Sequence, residues 1–193
     1  MVEALNKRVF LAINSWANRS GWVDNTAIVL AEYLPLLFVG VLVTLWFDTK
    51  HNGKGCALYA GYSALIGVAT NLLITLFYFH PRPFTDGVGI TLIQHVPDTS
   101  FPSDHTTFML SIAMVLCFLR GTRALGSALL VLGVVGGLSR VFSGVHYPLD
   151  ILGSVVVSFV AALFVLMFKK KLEFVNKIII NKYFIIANKI KIR

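Results

Sequence analysis

Two apolar runs, Ala124–Phe142 (ALGSALLVLGVVGGLSRVF) and Ile151–Phe168 (ILGSVVVSFVAALFVLMF), flank a segment of different character, Ser143–Asp150 (SGVHYPLD). Each run approaches the roughly 20 residues that a helix needs to cross a hydrocarbon core. Lipid offers no partner to an open backbone, so each run must be helical. The segment between them then turns the chain back and leaves a histidine and an aspartate at membrane level. Three further runs lie upstream, roughly Thr26–Phe47, Cys56–Phe79 and Thr106–Leu119, the last extendable through Ser103–His105. These runs predict an all-α fold, an integral membrane helix bundle with about five transmembrane spans. Residues 1–23 scatter Val9, Phe10, Ile13 and Trp16 among polar neighbours, which predicts an N-terminal interfacial helix lying on the membrane surface.

Composition agrees. The chain has 193 residues, 56% of them apolar and only 13% charged, against about 25% charged in soluble domains. That excludes disorder and an ordinary soluble domain. The net charge of +8 is unevenly spread: residues 1–168 hold 9 basic and 8 acidic residues, whereas 169–193 hold 8 basic residues and Glu173. We therefore divide the chain into a membrane-embedded domain, 1–168, and a basic amphipathic tail, 169–193, suited to anionic lipid. A neutral body with a basic end gives no reason to expect a nucleic-acid partner. Lys50, Lys54, Arg120, Arg123 and the tail cations place those segments on the cytoplasmic side by the positive-inside rule. Lys7, Arg8 and Arg19 fall on the outer side and are outweighed by the tail. The apolar stretch after Lys7 and Arg8 is too short for a cleavable signal. Cys56 and Cys117 lie in or beside apolar runs and read as small buried hydrophobes.

The outer loops hold the chemistry. One begins His80-Pro81-Arg82-Pro83 and ends Pro102-Ser103-Asp104-His105; the other contains Ser139-Arg140 and His146-Tyr147-Pro148-Leu149-Asp150. Ionisable residues at this depth are costly and point to a functional site. Two arginines with histidines and a helix N-terminus suit a phosphate. A histidine four residues before a carboxylate suits an oriented base or nucleophile, the two side chains set one helical turn apart.

This order of motifs, Arg-Pro, then Pro-Ser-x-His, then Ser-Arg-x5-His-x3-Asp, resembles the type 2 phosphatidic acid phosphatase superfamily. The stretches LITLFYFHPRPF (73–84) and FPSDHTT (101–107) look most like its bacitracin-resistance subgroup, bacterial undecaprenyl-diphosphate phosphatases. The resemblance implies hydrolysis of undecaprenyl diphosphate to undecaprenyl phosphate through a phosphohistidine. It implies neither a metal nor any other cofactor. It also implies lipid-carrier recycling for cell-wall synthesis, bacitracin resistance, and a plasma membrane location with the site facing outward and the C-terminus cytoplasmic. His146 would be the nucleophile, Asp150 its orienting partner and His105 the acid and base. Arg82, Ser103 and Arg140 would hold phosphoryl oxygens. His80, Asp104 and Ser139 stand as further candidates.

One departure is clear: the family places a lysine seven residues before the arginine, where this chain has Thr75. His80 is a candidate substitute for that cation. Phosphotransfer from a polyprenyl diphosphate, and hydrolysis of phosphatidylglycerol phosphate or phosphatidic acid, remain open as alternative reactions. A non-catalytic lipid transporter is the reading from another class. Glu32 and Asn71 are polar residues inside spans, each able to brace a catalytic group or to bond between helices. Gly133 and Gly137 read as a close-packing pair within the chain. Trp16, Trp22, Trp46 and Tyr147 read as interface aromatics.

Overall fold

A computed structural model describes residues 1–48 and 52–191. Lys50 and Arg193, counted in the charge reading, lie outside the described residues. Eight helices are found among those residues: α1 Val2–Asn14, α2 Gly21–Glu32, α3 Leu34–Phe47, α4 Gly53–Phe77, α5 Asp104–Phe118, α6 Arg123–Phe142, α7 Pro148–Met167 and α8 Lys169–Lys191. Helices α4, α6 and α7 are long and apolar enough to cross a membrane, and α2 with α3 makes a fourth such span, bent by 46°. The predicted third span is α5, of 15 residues, about 22 Å long at 1.5 Å per residue and short of the roughly 30 Å hydrocarbon core. It tolerates the shortfall because protein surrounds it: α4, α6 and α7 all pack on it.

Small residues allow that packing. A Cβ on Gly126 would run into the backbone of Leu116 and Cys117, so α6 meets the end of α5 backbone to backbone. Gly133 faces Leu110, and Gly137 faces Thr106 and Ile151. The Gly133–Gly137 pair thus serves packing within the chain. The main core, including Phe38, Met109, Ile112, Leu116 and Val165, lies along α5 below the polar loops.

The bend between α2 and α3 has a local cause. Pro35 stands in the first turn of α3 and has no N–H, so the carbonyl of Ala31 loses its i+4 donor. That carbonyl reappears in the site described below.

Helix α1 is more than a surface helix. Val2, Leu5, Val9 and Leu11 are exposed, but Asn6, Phe10 and Asn14, spaced four apart, are buried against loop 80–103 and the α6–α7 turn. The Nδ2 of Asn14 donates to the carbonyls of Ile90 and Phe142, both at 2.8 Å, and its Oδ1 accepts from the N–H of Ile90 at 2.6 Å. Asn6 Oδ1 accepts from the Leu149 N–H at 3.1 Å, and Lys7 meets Asp86 at 2.9 Å. One stripe of α1 therefore fastens loop 80–103 to the ends of α6 and α7. Tyr147, read as an interface aromatic, belongs to this fastening. It is fully buried, packs edge-on against Phe10, and donates to Asp86 Oδ2 at 3.0 Å. Asp86 sits below the ordinary carboxylate range chiefly through its bond to Lys7, whose own amine is raised in return. At the opposite end of the bundle α8 folds back on α4, where Tyr62 donates to Asn176 Oδ1 at 2.9 Å.

Candidate active site

The C-terminal ends of α4 and α6 and the N-terminal end of α5, with loop 80–103 and the turn before α7, enclose a cavity of about 620 Å³. Its polar wall holds Arg82, His105, Arg140 and His146, side chains drawn from four places in the chain. The opposite wall is a strip of α4, Leu65, Val68, Ala69 and Leu72. Leu65 and Leu72 are also exposed on the outside of the bundle. The cavity thus has a charged floor and an apolar flank that continues to the membrane-facing surface.

His146 is 2% exposed. Its Nε2 lies 3.3 Å from Arg82 Nη1, which also donates to the Val145 carbonyl at 2.9 Å. A guanidinium only donates, so His146 Nε2 is the acceptor, and the ring proton sits on Nδ1, 3.4 Å from Asp150 Oδ2. This tautomer leaves Nε2 unprotonated, with its lone pair toward Arg82, and both residues line the cavity. Burial is the main cause that holds the His146 imidazolium down to about 4, against the pull of Asp150. The free enzyme therefore keeps His146 neutral across the physiological range. Accordingly, kcat/KM, which reports the free enzyme, should lose its acid limb from His146 only below about pH 5. An acid limb centred near 6.5 in a profile from pH 4 to 8 would contradict this assignment.

The His146–Asp150 pairing differs from the simple helical-turn expectation. His146 precedes α7, and Tyr147 is its N-cap. The two side chains meet because Asp150, in the first turn, folds back and accepts the Tyr147 N–H at 2.7 Å through Oδ2. The carboxylate caps the helix and holds the histidine with the same oxygen.

Both arginines are buried, Arg82 at 5% and Arg140 at 1% exposure. Arg82 Nε donates to Asp98 Oδ1 at 2.6 Å. Arg140 Nη1 donates to the Ala31 carbonyl at 3.0 Å, the acceptor released by Pro35. Its Nε finds no partner among the described residues. A buried, under-partnered guanidinium is costly and ready for an anion. Glu32, one candidate brace, is near enough to act on the Arg140 charge, but the bracing bond comes from the backbone beside it. Pro35→Ala should restore a competing N–H for the Ala31 carbonyl. We expect kcat/KM to fall about ten-fold through misplacement of Arg140, measurable by phosphate release from the purified variant.

The other candidates are placed as follows. Ser103 is fully buried beneath the cavity and does not line it. It is the N-cap position of α5 without a side-chain cap bond, and Thr106 Oγ1 donates to its Oγ at 3.0 Å. Asp104 lines the cavity and accepts from Asn71 Nδ2 at 2.8 Å; Asn71 also reaches Thr107 at 3.0 Å, so it bonds between helices. Ser139 does not line the cavity. Its Oγ donates back to the Val135 carbonyl at 2.9 Å, because consecutive helical residues diverge by about 100° and Arg140 takes the inward direction. His80, offered as a substitute cation for the phosphate, also lies outside the cavity wall, behind Asp150. Thr75, at the lysine position, does line the cavity, its hydroxyl donating to the Leu72 carbonyl at 2.8 Å. Sequence reasoning missed His95, Asp98 and Thr99, which also line it. A His-x-x-Asp in a loop without regular pattern carried no signal by itself. Its role emerges only where Asp98 pairs with Arg82 and lies 3.8 Å from His95 Nδ1.

The family model described as the PAP2 superfamily matches residues 56–173, which span all of the helices around the cavity. The chain belongs to the PAP2 superfamily. Among curated relatives of this PAP2 protein, the undecaprenyl-diphosphatase BcrC of Bacillus subtilis is 34% identical over 96% of this chain and 95% of its own. A putative undecaprenyl-diphosphatase, YbjG of Escherichia coli, is 34% identical over 84% of this chain and 82% of its own. A Bacillus licheniformis relative, 29% identical over 91% of this chain and 86% of its own, carries the name bacitracin transport permease protein BcrC. Among solved structures, Aquifex aeolicus LpxE superposes with TM-score 0.69 at 22% identity, covering 84% of this chain and 95% of that one. These likenesses make the chain a multi-pass membrane protein of a phosphatase superfamily. The PAP2 fold is what places its Arg82, His105, Arg140 and His146 around one cavity.

Proposed function

We propose that the protein hydrolyses undecaprenyl diphosphate to undecaprenyl phosphate and inorganic phosphate by way of a phosphohistidine on His146. The observation that carries the reading is His146 itself. Its unprotonated Nε2 accepts from Arg82 at the wall of a cavity lined by two buried arginines, and its Nδ1–H is held by a buried aspartate. In the first step Nε2 attacks the terminal phosphorus. The bond from phosphorus to the bridging oxygen breaks, and His105 gives its proton to the departing lipid phosphate. In the second step His105 takes a proton from water, whose oxygen attacks the phosphorus. The P–N bond breaks, inorganic phosphate leaves and His146 is neutral again. Arg82 and Arg140 hold the equatorial oxygens, where phosphoryl transfer needs charge and positioning most.

The substrate class follows from two supports. Two buried guanidinium groups suit an oxyanion, and the strip Leu65, Val68, Ala69, Leu72 gives a long apolar chain a path to the bilayer. The names of the Bacillus subtilis and Escherichia coli relatives point to undecaprenyl diphosphate. Lys169, Lys170, Lys171, Lys177, Lys182 and Lys189 favour a cytoplasmic C-terminus and hence an outward site.

The name of the Bacillus licheniformis relative favours a second reading, transport without chemistry. One experiment separates the two. Purified protein is mixed with undecaprenyl diphosphate labelled on its terminal phosphate, then quenched in alkali. Hydrolysis through His146 predicts an acid-labile, alkali-stable phosphoprotein absent from His146→Gln. No label on protein and no phosphate released would leave transport.

A further inference from the structure

Asp150 has no solvent contact, and a buried carboxylate is stable only when its charge is matched. Its Oδ2 is occupied by the Tyr147 N–H and His146 Nδ1. Among the described residues its Oδ1 makes no hydrogen bond of ordinary geometry, and its one cationic neighbour is His80, whose Nδ1 lies 3.5 Å away. His80 approaches from the side away from the cavity, in a small separate recess lined by Glu3, Ile74, Tyr78, Phe101 and Leu149.

The protons on His80 can be assigned from its neighbours. The Ser100 hydroxyl donates its one proton to the Pro81 carbonyl at 3.2 Å. It must therefore accept from His80 Nδ1, at 2.8 Å, so Nδ1 carries a proton shared toward Ser100 and Asp150. The other ring nitrogen, Nε2, lies 3.6 Å from Glu3 Oε2 on α1. With a hydroxyl lone pair and a carboxylate before one nitrogen and a second carboxylate before the other, the ring is best satisfied doubly protonated. Contact with Asp150 is the largest cause that raises the imidazolium above the ordinary histidine range, against partial burial. The other titratable groups facing the ring are Tyr147 at 5.4 Å between centroids, Tyr78 at 6.2 Å and, more weakly, Asp86.

We propose that His80 is a positioning residue for Asp150, a second histidine that holds the carboxylate from behind while His146 holds it from the cavity, with Glu3 of α1 as the outer member of the relay. This rests on the reading of His146 as nucleophile and Asp150 as its partner. A carboxylate clamped between two imidazoles keeps Oδ2 aimed at His146 Nδ1, and the fixed positive charge moderates the field that Asp150 exerts on His146. The N-terminal helix thereby reaches the catalytic unit without touching substrate.

Kinetics of phosphate release from undecaprenyl diphosphate by the purified protein test this. His80→Ala should lower kcat about ten-fold with KM within about two-fold, because His80 does not line the substrate cavity. The acid limb of kcat/KM should move up by about half a pH unit or more, since Asp150 then holds a proton on His146 more strongly. His80→Asn keeps a donor where Nδ1 stands; it should recover part of kcat and retain the shifted limb, and it carries the test if His80→Ala does not fold. Placed on Asp150→Ala, His80→Ala should cost less than about two-fold more. Parental kcat and acid limb would overturn the proposal. So would a rise in KM alone, which would mark a phosphate contact, or a full further loss on Asp150→Ala, which would mark a merely structural role. If His146→Ala keeps the parental rate, the nucleophile reading itself falls. If His146→Ala is inactive while His80→Ala is parental, only the relay falls.

Discussion

Phosphate release should fall at least about 1,000-fold in His146→Gln, equivalent to about 4 kcal/mol of barrier. Glutamine keeps a polar group near Asp150 and Arg82, so the cavity and its charge survive while the nucleophile is lost. A nucleophile that splits one difficult displacement into two easier ones cannot be replaced by positioning alone. Residual activity would come from Arg82, Arg140 and His105 acting on water directly. The measurement is a turnover series with undecaprenyl diphosphate, with thermal unfolding in detergent to show that the variant is folded. Loss of less than about ten-fold would mean that His146 is not the attacking group.

Arg140→Lys should cost nearly as much as Arg140→Ala, about 100-fold or more in kcat/KM, by analogy with the removal of one donor from an oxyanion site. The charge is kept, but the fork is not. In the structure one Nη of Arg140 is taken up by the Ala31 carbonyl, and that bond fixes the guanidinium in the cavity wall. An ammonium on a flexible stem cannot make the anchoring bond and present a second fixed donor in that geometry. Parallel assays of the two variants decide it: a lysine variant near the parental rate would show that only the charge matters.

The fold class was legible because it rests on local properties. Runs such as Ile151–Phe168 are apolar in every direction, and a helix is the structure that satisfies a backbone in lipid. Much of the candidate site was legible because Arg82, His105, Arg140, His146 and Asp150 are polar residues standing at the ends of such runs, where polarity is conspicuous. Other features were not. Ser139 stood beside Arg140 as a further candidate, but helical rotation sends neighbouring residues to different faces. His80 was a candidate for the cation missing at Thr75, and loop geometry turns it to the back of Asp150. Tyr147 looked like an interface aromatic, but the loop and α1 cover it.

By itself, the sequence determined that helices would span a bilayer, that a candidate phosphate set of cations and histidines would stand at helix ends, and that the tail would carry the net charge. These follow from hydropathy, spacing and charge, which are written residue by residue. Tertiary structure alone decided how the set is supported. The Ala31 carbonyl freed by Pro35 anchors Arg140, Asp98 from an unpatterned loop pairs with Arg82, and α1 fastens that loop through Asn6 and Asn14. Each of these contacts joins residues distant along the chain, and a backbone carbonyl or a polar stripe has no distinctive chemistry until folding brings its partner within hydrogen-bond reach.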